Sequence, residues 1–200
     1  GHKSFGLSII SLDAGVDTGN VLLERDFPIG RDDTIADLHA VADKEFPKML
    51  LTVLDGIENN SIQSWTQNLD KSAYYPLRFP EDGLVLWDML TVEEIHNRTR
   101  ALTEPYPCAF TVFRNQKVRL LETSLQDPPH YGEPGRIYRK ATGKLLVCAK
   151  DRCLWVVRAE FADGRPLYED VLRYDRLGTV QEAALQVLIG EGNKVENRKS

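Results

Sequence analysis

Two hundred residues, 42% hydrophobic and 28% charged with a net charge of -5, suffice for one ordinary core or two small ones without metal or disulfide staples. No apolar run reaches bilayer length, no basic block announces a nucleic-acid surface, and GHKSFGLSII is too short an apolar start for a secretory signal, so the cytoplasm is expected. Cys108, Cys148 and Cys153 are odd in number and form no C-x-x-C or zinc-spaced Cys/His cluster, which favours reduced thiols and no metal site.

In chain order, FGLSIISL reads as a buried strand and NVLLERDFPI as a second, joined through the loop D-A-G-V-D-T-G, Asp13 to Gly19. Thr34 then offers an N-cap with Asp37 three positions on. Ile35, Leu38, Val41, Ala42, Phe46, Met49, Leu50, Val53 and Leu54 recur at helical spacing, and Pro47 within them predicts a kinked or divided helix. From Glu58 to Glu81 periodicity is lost, as in an extended connection with aromatic anchors. The T-x-x-E of Thr91 to Glu94 is a capping box for VEEIHNRTRAL, whose Val92, Ile95, Thr99 and Leu102 share a face up to Pro105. The strands AFTVF, KVRLLETSL, GRIYR, KLLVCA and CLWVVRAEF follow, predicting a small barrel of the OB type or, alternatively, an open antiparallel sheet. A second box, Thr179 to Glu182, predicts a short terminal helix.

Residue chemistry alone leaves the acids of the first loop open. Asp17 is an Asx-turn closing the loop or a functional carboxylate, and Asp13 an exposed turn acid or part of a binding surface. Gly15 invites a positive φ, while Thr18 and Gly19 read as structural. His2, His39, His96 and His130 lie in separate segments and make no nucleophile arrangement, so surface or packing roles are expected. Tyr74 and Tyr75 read first as pins of the linker and second as walls of a substrate groove. Trp65, Trp87 and Trp155 read as core anchors.

The co-linear segments FGLSIISLDAGVDTGNVLLERDFPI, YYPLRFPEDGLVLWD, IHNRTRAL and PYPCAF make the chain, over roughly Gly6 to Leu177, resemble the folate-dependent formyltransferases. The resemblance implies an α/β fold: the C-terminal remnant of a Rossmann-like formyltransferase domain in 1–57, a linker in 58–81, and a small OB-like β-barrel with flanking helices in 82–200. It implies 10-formyltetrahydrofolate as formyl donor and a small-molecule amine as acceptor. Tyr74, Tyr75, Arg78 and Pro80 to Gly83 look most similar to the enzymes acting on nucleotide-linked amino sugars, with methionyl-tRNA as the alternative acceptor. Cys108 departs from the family, which commonly has glycine after the second proline.

By the same resemblance, Asp17 matches the aspartate that works with an asparagine and a histidine on an earlier segment of the family domain. Asp13, Ala14, Gly15 and Val16 match the loop that wraps the pterin ring. Neither the asparagine nor the histidine has a counterpart here, so the expected state is a fragment that is inactive alone, with an exposed apolar face on its first unit. A non-catalytic binding or assembly module is the competing expectation; homo-oligomerisation stays open and tRNA is not excluded.

Overall fold

A computed structural model describes residues 1–68, 70 and 72–178. The chain divides into two units, His2–Arg78 and the residues from Phe79 onward together with Gly1. The predicted terminal helix at Thr179 to Glu182 lies outside the described residues.

In the first unit, β1 (Ser4–Ile10) and β2 (Val21–Pro28) form an antiparallel two-stranded sheet. The register sets Phe5, Leu7 and Ile9 opposite Phe27, Arg25 and Leu23, while Gly6 and Ser8 face Asp26 and Glu24. The period of two therefore separates a mainly apolar face from a polar one. This corrects the reading of β1 as a buried strand, since Leu7 is its one buried residue. The Phe5 and Phe27 rings meet at 5.7 Å between centroids.

Helix α1 (Ile35–Glu58) follows, its first turn tied by Asp37, whose Oδ2 accepts from the Thr34 N–H at 2.8 Å and hydroxyl at 2.7 Å. These bonds hold the Asp37 carboxyl below its ordinary pKa, the hydroxyl contributing most. Of the kink or division expected at Pro47, the division is not found, since α1 runs unbroken through it. Asp43, whose carbonyl loses its helical donor there, is exposed, so water can satisfy it. Met49, Val53 and Gly56 are buried, whereas Phe46, Leu50, Leu54 and Ile57 form a second apolar stripe that stays exposed.

The second unit is built on one antiparallel sheet of β3 (Ala109–Phe113), β4 (Gln116–Leu125), β5 (Ile137–Ala141), β6 (Lys144–Cys148) and β7 (Cys153–Phe161), in the order β3-β4-β7-β6-β5. GRIYR begins its strand two residues later than predicted, because Gly135 sits in a turn at φ 77°. The two-residue turns Arg114-Asn115 and Thr142-Gly143 hold positive φ at both positions, the twist that tight hairpins need. Helix α2 (Val92–Leu102) buries Val92, Ile95, His96 and Thr99, with Leu102 half-buried at its end. Its N-terminus carries the predicted box: Glu94 Oε2 accepts from the Thr91 N–H and hydroxyl at 2.8 Å each, and Thr91 Oγ1 accepts from the Glu94 N–H at 3.3 Å.

The main core joins Trp87, Ile95, Leu120, Ile137, Leu145 and Leu154, while Leu146, Cys148 and Cys153 pack separately with Tyr138 and Trp155. Alternation along β6 assigns these clusters to opposite faces of the sheet. Among the described residues no strand ladder joins β3 to β5, so a closed barrel is not formed. Instead the segment after the short helix α3 (Leu167–Asp170) spans the gap: Ile137 donates to the Asp175 carbonyl at 2.9 Å, Leu177 to that of Gly135 at 2.8 Å, and Gly178 to that of Val112 at 2.8 Å. Cys148 and Cys153 are in direct register across β6 and β7 with their side chains against each other, a proximity the sequence reading did not anticipate. Five residues of separation hid a pairing that the hairpin creates. Cys108 is free and buried.

Candidate functional site

The loop between β1 and β2 is closed at its base by the Ser11 N–H, which donates to the Asn20 carbonyl at 2.9 Å. Within it, Asp13 Oδ1 accepts from the Thr18 hydroxyl at 2.6 Å and from the Gly15 N–H at 2.9 Å. The Thr18 bond chiefly, and the Gly15 bond second, hold the Asp13 carboxyl below its ordinary pKa. Asp13 thus organises the loop as an Asx-type acceptor. The expected positive φ at Gly15 is not found; Asp17 is the left-handed residue, at φ 58°. Gly15 is needed for space instead, since a Cβ there would lie 2.1 Å from Thr18 Oγ1. Gly19 is tighter, with a Cβ 1.6 Å from the Ser11 carbonyl oxygen.

A contribution the sequence reading missed comes from Gln67, whose side-chain amide donates to the carbonyls of Asp17 at 2.8 Å and Gly19 at 2.7 Å. Trp65 brings it there by pairing its backbone with Val21 in both directions, at 2.9 and 3.1 Å. The ladder explains why Trp65 is 46% exposed rather than a core anchor: its main chain makes the attachment. A polar glutamine in an aperiodic stretch gives no sequence signal for this role.

What the loop presents outward is apolar and acidic. Leu12 is 96% and Val16 87% exposed, and among the described residues no protein group bonds the Asp17 carboxylate. Among the described residues the backbone groups of Ala14 and Val16 have no protein partner, whereas the Gly15 N–H is already taken by Asp13. The loop can therefore receive a flat, partly apolar ring edged with hydrogen-bonding atoms, with a carboxylate at its rim. Among the described residues no group of three His, Cys, Asp or Glu side chains could hold a metal, and no helix is long and apolar enough to cross a membrane.

The other sequence candidates fall elsewhere. His96 is buried, its Nδ1 3.0 Å from Thr123 Oγ1 on β4, which supports the packing role. Tyr74 is 99% exposed and Tyr75 largely so, which corrects their reading as linker pins. Trp87 is a core anchor, its indole N–H donating to Thr111 Oγ1 at 2.9 Å, while Trp155 is half-buried and donates to Gln126. Three quoted motifs meet at the start of the second unit. Arg98 donates to the Leu84 carbonyl at 2.7 Å, Val85 to the Phe110 carbonyl at 2.7 Å, and a Cβ on Gly83 would lie 2.8 Å from the Cys108 carbonyl. Cys108, where the resemblance led one to expect glycine, has φ 69°, the left-handed region glycine favours.

Residues 79–173 match the family described as the formyl transferase C-terminal domain. The chain is 28% identical over 167 residues to methionyl-tRNA formyltransferase of Clostridium beijerinckii, covering 84% of the chain and 53% of that protein. It is 30% identical over 167 residues to the enzyme of the same name from Pelobacter propionicus, covering 84% and 51%. The chain thus spans about half the length of the curated relatives it matches. The fold is shared with an N-formyltransferase from Helicobacter canadensis in complex with folinic acid and dTDP-3-aminofucose, at TM-score 0.61 and 20% identity, covering 80% of this chain and 56% of that one. It is shared also with HypX from Aquifex aeolicus in complex with tetrahydrofolic acid, at TM-score 0.60 and 16% identity, covering 80% and 28%.

Proposed function

We propose, from the match of residues 79–173 to the formyltransferase C-terminal domain family, that the chain is the C-terminal portion of a 10-formyltetrahydrofolate-dependent formyltransferase acting on an amine. The observation that carries this reading is the extent of the match: another methionyl-tRNA formyltransferase aligns over 96% of the chain, which leaves about eight residues outside, so the alignment takes in the Asp13–Gly19 loop of the first unit. In this reading 1–57 end the catalytic domain, 58–81 connect, and 82–200 form the C-terminal domain. The hydrogen bonds from the segment before Gly178 to both β3 and the start of β5 support a partly open, OB-like barrel.

The loop fits the pterin end of a folate. Ala14 and Val16 would read its polar edge through their backbones, the Val16 side chain would cover its face, and Asp13 would hold the loop shape from within. When bound, 10-formyltetrahydrofolate supplies an electrophilic formyl carbon. Asp17, with its main chain fixed by Gln67 and its carboxylate outward, would orient and charge-balance a histidine and so help the acceptor nitrogen lose its proton. That histidine and the asparagine that would stabilise the developing oxyanion have no counterpart in these 200 residues, so the chain alone should be inactive.

An amine on a nucleotide-linked sugar is one acceptor, supported by the exposed Tyr74 and Tyr75 and by the fold shared with the aminofucose enzyme. Methionyl-tRNA is the second, favoured by the names of the relatives at higher sequence identity. A cytoplasmic location belongs to the same proposal. Turnover assays with 10-formyltetrahydrofolate, dTDP-amino sugars and methionyl-tRNA test it: the 200-residue chain alone should transfer no formyl group, and turnover by it would overturn the fragment reading.

A further inference from the structure

On the face of the second sheet opposite the main core lies a cavity of about 490 Å³ lined by His130, Tyr138, Arg139, Lys140, Leu146 and Arg173. We propose that this cavity is a binding site for a small polyanion of the pyrophosphate type, an inference that goes beyond the formyl-transfer reading and does not depend on it.

Of the six lining residues none is acidic, and Arg139 and Arg173 bring two guanidinium groups, although the whole chain carries a net charge of -5. Concentration of positive charge in one hollow of an acidic protein is the electrostatic form of an anion site. The walls are held in place. The Tyr138 hydroxyl accepts from the Glu133 N–H at 2.8 Å, its ring packs so closely on Gly132 that a Cβ there would lie 2.3 Å away, and the Tyr174 ring meets it edge-on at 6.3 Å. The β5–β6 register shifts between Ile137 and Arg139, and this bulge interrupts the strand alternation where Tyr138 and Arg139 line the cavity.

The guanidinium groups keep donors to offer. Arg173 Nε donates to the Tyr138 carbonyl at 3.0 Å with the guanidinium 4.7 Å from the Tyr174 ring centre, leaving both terminal nitrogens without a protein partner among the described residues. Lys140 faces the other way: it is paired with Leu145 of the main core, and its ammonium donates to the Val171 carbonyl at 2.6 Å beside the Tyr168 ring. The Arg139 guanidinium bonds to no protein group among the described residues. The acid near this rim, Asp175, is engaged by the Leu172 N–H at 2.9 Å and by Arg114 at 3.3 Å. Two guanidinium forks around one hollow match the adjoining oxygens of a pyrophosphate. The volume lies in the roughly 300–1,000 Å³ range of small-ligand sites. A polynucleotide would instead call for a long basic stripe, which the sequence lacks.

The test is isothermal titration of the 200-residue chain with inorganic pyrophosphate, repeated on Arg139→Gln, on Arg139→Gln/Arg173→Gln, and on Lys44→Gln as a control for charge outside the cavity. Saturable millimolar or tighter binding should weaken about tenfold or more in the double variant and by a smaller factor in Arg139→Gln, while the control binds as the parent does. The Arg139 guanidinium has no bond to lose, so the single variant reports on the site even if the double variant unfolds. Absence of saturable binding, equal weakening in the control, or unchanged affinity in Arg139→Gln overturns the proposal. So does binding of a duplex RNA that pyrophosphate does not displace.

Discussion

At the scale of single residues, the loop of the first unit shows two acids of the same type doing different work. Asp13 is consumed internally by Thr18 and Gly15, whereas Asp17 contributes its main chain to Gln67 and leaves its carboxylate outward. Under the proposed formyl-transfer function, Asp17→Asn should lower the rate about a hundredfold while the fold persists, because shape is kept and charge is lost. Circular dichroism beside steady-state kinetics checks this, and near-normal turnover would return Asp17 to a purely turn-forming role. A stability effect is expected at Thr142, a β-branched residue at φ 50° in the β5–β6 turn. Thr142→Asn places Asn-Gly where both positions need positive φ and should raise stability by about 0.5–1 kcal/mol, part of the ~1–2 kcal/mol left-handed penalty. Equal denaturation midpoints would show that the turn already absorbs the strain.

At the scale of elements, α2 is fixed by its first turn and its buried face together. Thr91→Ala removes the acceptor for the Glu94 N–H and should cost about 1 kcal/mol in chemical denaturation. Glu94 adds a pH signature. The Thr91 N–H chiefly, and its hydroxyl second, hold the Glu94 carboxyl below its ordinary pKa. A depressed folded-state pKa means that this contribution is complete above the ordinary glutamate value near 4.5 and is lost as pH falls through the folded one. The stability gap between the parent and Glu94→Gln should therefore be a few tenths of a kcal/mol at neutral pH, since the group is exposed, and should close in acid. A gap independent of pH would assign the cap to shape rather than charge. Element α1 is of another kind. Its buried stripe of Met49, Val53 and Gly56 runs beside the exposed stripe of Phe46, Leu50, Leu54 and Ile57, so its apolar arc is wider than the two strands of its own unit can cover.

At the scale of the whole molecule, the two units differ in how completely each satisfies itself. The second has a core reaching from Trp87 to Leu177 and a sheet with both edge regions bonded to the segment before Gly178. The first has two strands, and among the described residues β2 is partnered beyond β1 only where Val21 meets Trp65. Hydrogen exchange on a dilute, demonstrated monomer should find slow amides in β4 and β7 and faster exchange in β1. Equal protection of β1 would make the first unit self-sufficient. What the sequence determined by itself was local or periodic: the five strands of the second sheet, the Thr91–Glu94 cap, the buried face of α2, and the motifs that resemble the formyltransferases. Propensity, capping and alternation act over a few residues, so they leave a readable pattern. Tertiary structure decided the rest, because each remaining feature depends on partners far apart in the chain. Gln67 reaches Asp17 and Gly19 only after Trp65 has joined β2, and Cys148 meets Cys153 only in the register of a hairpin. Pro47 stays inside one helix since the Asp43 carbonyl that it orphans can face water, and Asp13 and Asp17, alike in sequence, become different groups because Thr18 bonds the carboxylate of Asp13.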